Sequence, residues 1–179
     1  PHTRGDAYSL RGDAAYRANG GELAVTDLKN AYRYKKTNNS KCLTLNKLGS
    51  AFLSLGDTTK ALETFRRTQE LGHRYKGSDA TISICNILIQ QEKYDKALQE
   101  METWLEKIDL DSLGGGYWRA RVLSAHGNVL AKAGRQQEAI AKYKEALTAK
   151  GLRESVQKVY KERLKELQGE GTREGKAAE

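Results

Sequence analysis

The chain has little of the chemistry that metalloproteins and disulfide-rich domains need. Its 179 residues include one proline, two cysteines and three histidines. Two cysteines are too few for a disulfide framework or a zinc site, and Cys42 and Cys85 fall within apolar helical patterns, so both are expected to be buried thiols. His2, His73 and His126 each stand alone, without a second ligand at metal-binding spacing. We therefore expect no metal and no other cofactor.

The sequence also lacks a membrane span and an enzyme motif. No apolar run approaches the roughly 20 residues that cross a bilayer. The chain begins at Pro1 without a signal-like segment, so a processed product or an excised fragment is expected, and the compartment stays open with the cytoplasm favoured. A phosphate-binding glycine loop and a Ser, His and Asp arrangement are absent, and Asp109 and Asp111 lie in a polar segment. The chain is therefore not expected to be an enzyme.

What the chain does contain favours helices and a positive surface. Ala, Leu, Lys, Gln and Glu are plentiful, and seventeen glycines punctuate them, which predicts an all-α protein. The formal net charge is +8. Residues 1–77 carry 14 Lys and Arg against 7 Asp and Glu, whereas residues 78–149 carry 9 against 10. An acidic partner would therefore be attracted to the first half of the chain.

Four segments of the chain share one spacing of small, apolar and turn residues. In HGNVLAKAGRQQEAIAKYKEAL, residues 126–147, two stretches with helical 3, 4, 7 spacing flank Gly134, a residue suited to the left-handed end of a helix. Each copy has a small residue, a turn residue, an alanine and a large residue at matching offsets. The copies are Gly12, Asn19, Ala24 and Leu28; Gly49, Gly56, Ala61 and Phe65; Cys85, Glu92, Ala97 and Met101; and Gly127, Gly134, Ala139 and Tyr143.

This pattern resembles the tetratricopeptide repeat, a helical hairpin of about 34 residues. The resemblance covers residues 5–150, and its first copy departs from the pattern because Arg11 stands where an apolar residue is usual. It implies an α-solenoid of antiparallel helical hairpins wound into a right-handed superhelix, with a generic helical bundle as the alternative. The expected boundaries are hairpins at 5–36, 42–72, 78–108 and 117–150 and a capping helix at 152–168, all in one domain of residues 1–168, followed by a flexible tail at 169–179.

Steric arguments explain the repeated small residues. Helices whose axes lie 8 to 10 Å apart need a small side chain where their backbones cross, so the glycine of the first helix is expected to meet the alanine of the second. Phe65, Met101 and Tyr143 are then expected to fill the gap toward the next hairpin.

The connection after the third hairpin is longer than the others. The repeat alanines are 37, 36 and 42 residues apart, and the surplus falls around KIDLDSLGGGYW. Since glycines are poor helix formers, Gly114–Gly116 predict a loop, which serves either as a spacer or as a partner-binding or hinge loop.

An apolar stripe follows the fourth hairpin, and Lys, Arg and Glu occupy the other face. It predicts a helix that caps the last hairpin, with contact to a partner or a second copy as the alternative. The stripe consists of Leu152, Val156, Val159, Tyr160, Leu164 and Leu167.

In the tetratricopeptide family, the first helix of each hairpin lines a concave groove that binds extended peptides or a partner's helix. The resemblance places these residues in the groove: Ser9, Asp13, Tyr16, Asn46, Lys47, Ser50, Ile82, Ser83, Asn86, Arg121, Ser124 and Asn128. The amides of Asn86 and Asn128 are suited to pair with a ligand backbone; the alternative is that they are merely solvated. The carboxylate clamp by which some members hold a chaperone's C-terminus is absent, since of its charged positions only Arg121 fits.

Two basic and aromatic clusters, KNAYRYKK and HRYKG, raise the question of nucleic-acid binding. Both lie at the ends of expected second helices, where cations complement the helix dipole. An acidic protein or a membrane surface is therefore favoured over nucleic acid. The basic residues are Lys29, Arg33, Lys35, Lys36, Arg74 and Lys76.

Together these features predict a protein-interaction scaffold or adaptor that binds a partner peptide or helix in its concave groove. The alternative is a self-assembling structural module, a homo-oligomer, that uses its convex face, the loop at 109–117 or the capping helix.

Overall fold

The structure, a computed structural model, describes residues 3–114 and 116–174. Within them every regular element is a helix, and the all-α prediction is confirmed. The elements are α1 (Arg4–Arg17), α2 (Gly21–Tyr34), α3 (Asn38–Ser54), α4 (Thr58–Glu70), α5 (Arg74–Gln90), α6 (Tyr94–Lys107), a 3₁₀ turn (Asp111–Leu113), α7 (Gly116–Lys132), α8 (Gln136–Leu147) and α9 (Glu154–Glu174). Helices α1 to α8 follow one another as four pairs, each with a first and a second helix, as the hairpin repeat requires.

The chain forms two compact units, Pro1–Ile87 and Leu88–Glu179, and the division falls within α5. In the first unit α1 packs against α2, α2 against α3, and α3 against α4. In the second unit α6 packs against α7, α7 against α8, and α8 against α9. The expected extent of one domain, residues 1–168, stays a prediction.

The turn between the two helices of each hairpin repeats in backbone geometry. Its turn residue has a left-handed φ in every copy: 57° at Asn19, 76° at Gly56, 57° at Glu92 and 77° at Gly134. In each copy the N–H after this residue donates to a carbonyl five residues earlier, closing the helix end. These bonds are Gly20 to Ala15 at 2.8 Å, Asp57 to Phe52 at 3.0 Å, Lys93 to Leu88 at 2.9 Å and Arg135 to Leu130 at 2.9 Å. The repeat is therefore confirmed as a repeat of structure.

The small residues of the first helices lie against large side chains of the second helices. A Cβ added to Gly49 would lie 2.6 Å from the ring of Phe65, and one added to Gly127 would lie 3.1 Å from the ring of Tyr143 and 3.3 Å from the carbonyl oxygen of Ala139. The glycines thus leave room for a ring inside the same hairpin. Tyr143 also contacts the next element, since its ring centre lies 6.4 Å from that of Tyr160 on α9; that Phe65 fills the gap toward the next hairpin stays a prediction. The four repeat alanines are fully buried.

The connection between α6 and α7 is shifted by one residue from its expected place, because α6 ends at Lys107 and α7 begins at Gly116, a residue expected in the loop. A Cβ on Gly116 would lie 1.9 Å from the carbonyl oxygen of Lys150, so glycine permits the backbone of α7 to touch the chain that leads into α9. The 3₁₀ turn buries Leu113 and contacts α7. The glycine at position 115 lies outside the described residues.

Helix α9 packs its apolar side against the last hairpin. A buried cluster joins Tyr160 and Leu152 to Leu123 and Tyr143, and Val156, Leu164 and Leu167 pack against it. Val159 lies at the edge of the stripe and is 51% exposed. The helix continues past the expected end at 168 into the segment expected to be a flexible tail, because an exposed glycine costs about 1 kcal/mol in a helix and need not end it. Residues 175–179 lie outside the described part.

Candidate functional site

The first helices of the first unit lie side by side. The ammonium group of Lys47 on α3 pairs with the carboxylate of Asp13 on α1. The side-chain amide of Asn46 on α3 donates to the carbonyl oxygen of Lys76 on α5 at 2.9 Å. Two cross-helix contacts therefore hold α1, α3 and α5 in register, and several positions that the resemblance assigns to the groove share this first-helix face.

Some of these polar groups are engaged within the fold. Lys47 is neutralised by Asp13, and the Asn46 amide nitrogen is bound to Lys76. The hydroxyl of Ser50 donates to the carbonyl oxygen of Asn46 at 3.1 Å. The buried Oδ1 of Asn46 has no partner among the described residues. Asn46 and Lys47 therefore tie neighbouring helices together, a role that residue type and spacing did not reveal.

Other groove positions remain open to solvent. Tyr16 is 41% exposed, Asn86 is exposed, and Ile82 is half-buried. In the second unit Arg121, Ser124 and Asn128 are half-buried on α7, and the hydroxyl of Ser124 donates to the carbonyl oxygen of Arg121 at 3.0 Å. Their part in binding stays a prediction.

The basic residues of the two sequence clusters differ in their surroundings. Lys35 pairs with Asp6, and this contact lowers the pKa of the Asp6 carboxyl. Arg74 lies over the ring of its neighbour Tyr75 at 5.0 Å. Lys36 is exposed, and Lys76 is half-buried. The part of these basic residues in binding a partner stays a prediction.

A different basic surface lies between α2 and α4. Lys29 and Arg33 line a cavity of about 440 Å³ together with Lys60 and Arg67 of α4. Sequence reasoning missed the α4 cations because they are not clustered along the chain. Lys60 and Arg67 are seven residues apart, which is about two helical turns, and this spacing indicates that both lie on one face of α4.

The buried ionisable groups have structural explanations. Arg11, the departure from the repeat pattern, donates two hydrogen bonds of 2.6 and 2.7 Å to the carboxylate of the fully buried Asp27. Burial lowers the pKa of His126, and nearby Lys142 adds to this effect. Burial raises the pKa of the Cys42 thiol, and both cysteines are buried thiols, as expected.

Two features are absent from the part of the chain that the structure describes. No group of three or more His, Cys, Asp and Glu side chains lies close enough to hold a metal ion. Within the same residues, none of the helices has the length and apolar character needed to cross a membrane.

Comparison with known proteins supports the repeat assignment. The family model described as tetratricopeptide repeat matches residues 78–150. No curated protein sequence matches the chain.

Several solved structures have a similar fold. A double mutant described as MamA RS-1 ArsTM has 19% identity and a TM-score of 0.64, with 99% of this chain and 90% of that chain covered. MamA from residue 41 to its end, from Desulfovibrio magneticus RS-1, has 18% identity and a TM-score of 0.59, with 96% and 93% covered. YrrB, described as a tetratricopeptide protein with an unusual peptide-binding site, has 18% identity and a TM-score of 0.54, with 81% and 68% covered.

Residues 78–150 thus match the tetratricopeptide repeat model, and the likeness of the fold to solved structures extends beyond them. The predicted fold class is confirmed. The family is generally a non-enzymatic protein-interaction module.

Proposed function

We propose that this protein is an interaction scaffold that holds an extended peptide or a helix of a partner along the first-helix face of α1, α3 and α5. The observation that carries the proposal is the pair of cross-helix contacts, Lys47 to Asp13 and Asn46 to Lys76, which align the three helices. YrrB, with a similar fold, is described as having a peptide-binding site, and this supports the same use of the fold here.

The chemistry of the face indicates how a ligand would be held. Because Asp13 neutralises Lys47, the face offers no unpaired lysine at that position for a carboxylate. Tyr16 offers an exposed ring, and the amide of Asn86 can both donate to and accept from a peptide backbone. The ligand is therefore recognised through its main chain and an apolar contact rather than through a terminal carboxylate.

A displayed library of random peptides tests the proposal directly. Peptides selected on the unmodified protein should bind a variant carrying Tyr16→Ala and Asn86→Ala at least about tenfold more weakly, the loss expected for two central contacts. The matched control is Gln99→Ala on α6, an exposed amide outside this face. It should leave the affinity unchanged, and circular dichroism should show the same helicity in all three proteins.

Two results would count against this use of the first-helix face. The first is a library from which no peptide is enriched. The second is equal binding by the double variant. Light scattering over a range of concentrations then examines the alternative: self-association that persists in the double variant would favour a structural module over a peptide-binding scaffold.

A further inference from the structure

A groove between the second helices of the first two hairpins is lined by both cationic and apolar side chains. It lies between α2 and α4, has a floor provided by α3, and has a volume of about 440 Å³. This is within the range of cavities that hold small ligands or anchoring side chains. We call it the α2–α4 groove.

The rim of the α2–α4 groove is strongly cationic. Lys29 and Arg33 are one helical turn apart on α2, and Lys60 and Arg67 stand on α4, whereas Glu63 is the one carboxylate in the lining. Lys60 pairs with Asp57 outside the lining. In the described part of the chain, the other three cations make no ion pair. Two opposed rows of cations thus border the groove with most of their charge uncompensated.

The floor of the groove is apolar and orients the cations above it. Leu45, Leu48 and Phe52 form this floor and are largely buried. The ammonium groups of Lys29 and Lys60 lie 5.6 and 5.8 Å from the centre of the Phe52 ring. Such cation–π contacts hold a charge in place while leaving its hydrogen-bond donors available. An apolar side chain and flanking carboxylates would therefore both find partners here.

We propose that the α2–α4 groove binds an acidic peptide segment in which an apolar side chain is flanked by aspartate and glutamate. The apolar side chain covers the floor between the two helices. The carboxylates lie against Arg33 and Arg67, since guanidinium groups bind carboxylates with two parallel hydrogen bonds. This surface is separate from the first-helix face and does not depend on the function proposed for that face.

Two features favour an acidic peptide over nucleic acid. The Tyr32 ring already has the Arg67 guanidinium at 5.4 Å and the Lys41 ammonium at 5.9 Å from its centre, so it is not an open platform for stacked bases. A cavity of this volume accommodates a single anchoring side chain better than a run of bases.

Fluorescence anisotropy with a labelled synthetic peptide tests the inference. The probe has one phenylalanine between pairs of Asp and Glu residues. Arg33→Glu combined with Arg67→Glu should weaken binding by more than about tenfold, because both close contacts become repulsive. The matched control, Lys158→Glu with Lys161→Glu on exposed positions of α9, makes the same change in net charge and should weaken binding by less than about threefold.

Changes in the probe separate the two parts of the proposal. Replacing its acids by Asn and Gln, or its phenylalanine by serine, should each weaken binding by about tenfold. The Tyr16→Ala and Asn86→Ala variant should bind the probe as the unmodified protein does. If the charge-reversed protein loses helical circular dichroism, the neutral pair Arg33→Gln with Arg67→Gln replaces it and should weaken binding by at least about threefold.

Three outcomes would overturn the inference. The first is equal loss of binding in the groove variant and the α9 control, which would show that the probe responds to net charge alone. The second is undiminished binding by the phenylalanine-free probe. The third is tighter binding of a single-stranded RNA oligonucleotide than of the peptide, lost in the same groove variant, which would identify the groove as a nucleic-acid site.

Discussion

Replacing Gly49 with alanine tests the close approach of α3 and α4 within the second hairpin. The new Cβ would lie 2.6 Å from the ring of Phe65, whereas carbon atoms in contact prefer about 3.5 to 4.0 Å. Phe65 is 1% exposed, so its ring cannot turn into solvent to make room. The substitution therefore forces the ring or the helix backbone to move.

The expected magnitude is a balance of two terms. Alanine is about 1 kcal/mol better than glycine inside a helix, which stabilises the variant. Overpacking a closed core costs about 1 to 3 kcal/mol, and a contact this short belongs at the upper end. Gly49→Ala should therefore lower the free energy of unfolding by about 1 to 2 kcal/mol.

Urea unfolding followed by circular dichroism measures the loss, and amide exchange in α3 shows whether it is local. Gly127→Ala is the matched control, because its Cβ would lie 3.1 Å from the ring of Tyr143 and needs a smaller adjustment. It should change stability by less than about 1 kcal/mol. In a Phe65→Leu background, the effect of Gly49→Ala should reverse to a gain of about 1 kcal/mol.

The reasoning would be refuted if Gly49→Ala were as stable as the unmodified protein, or more stable, in the presence of Phe65. Glycine at this position would then not be required by the ring, and the repeated small residue would need another explanation. If Gly127→Ala lowered the free energy of unfolding more than Gly49→Ala does, this result would equally contradict the geometry.

Three further predictions follow from individual contacts, and each is checked by urea or thermal unfolding. Arg11→Ala should lower the urea midpoint because it leaves the buried Asp27 carboxylate without its two hydrogen bonds from Arg11. Arg11→Lys should restore only part of this loss. A midpoint unchanged by Arg11→Ala would show that the ion pair contributes nothing to stability. Glu92→Gly should stabilise the protein by about 0.5 to 1 kcal/mol, since Glu92 has the left-handed φ of 57° that glycine adopts without strain. Glu92→Ala keeps this backbone strain and should give no such gain in stability. Stability should fall as the pH drops below 6.5, the ordinary pKa of histidine, because burial lowers the pKa of His126 in the folded state. The histidine of the unfolded chain is then protonated while the folded one stays neutral, which favours unfolding. His126→Leu should flatten this part of the plot of stability against pH, and an unchanged slope would mean that other groups cause the fall.

The first-helix face and the α2–α4 groove would give one protein two kinds of partner contact. The face pairs its own charge internally, through Lys47 and Asp13, and offers Tyr16 and Asn86. The groove leaves Arg33 and Arg67 without carboxylate partners among the described residues and offers them over an apolar floor. The two surfaces would therefore select ligands of different chemistry. The variants proposed for one surface serve as controls in binding measurements on the other surface.

The spacing of residues along the chain was enough to predict the repeat. Ala61 and Ala139, with the turn positions Gly56 and Gly134, follow from the steric needs of two packed helices and a left-handed helix end, which are local requirements. For the same reason the helical hairpins and the apolar side of α9 could be predicted without coordinates. The resemblance to the tetratricopeptide repeat, rather than periodicity, placed Asn86 and Tyr16 on the groove side of first helices, and the structure leaves both exposed.

Contacts between residues far apart in the chain were decided by the tertiary structure alone. The partner of Arg11 is sixteen residues away, and the partner of Asn46 is thirty residues away. Lys29 and Arg67 line one groove because α2 and α4 pack over α3, and no periodicity within either helix specifies which faces meet. Local spacing therefore determined the helices and their buried sides, whereas the packing of one hairpin on the next determined which charges are neutralised and which remain available to a ligand.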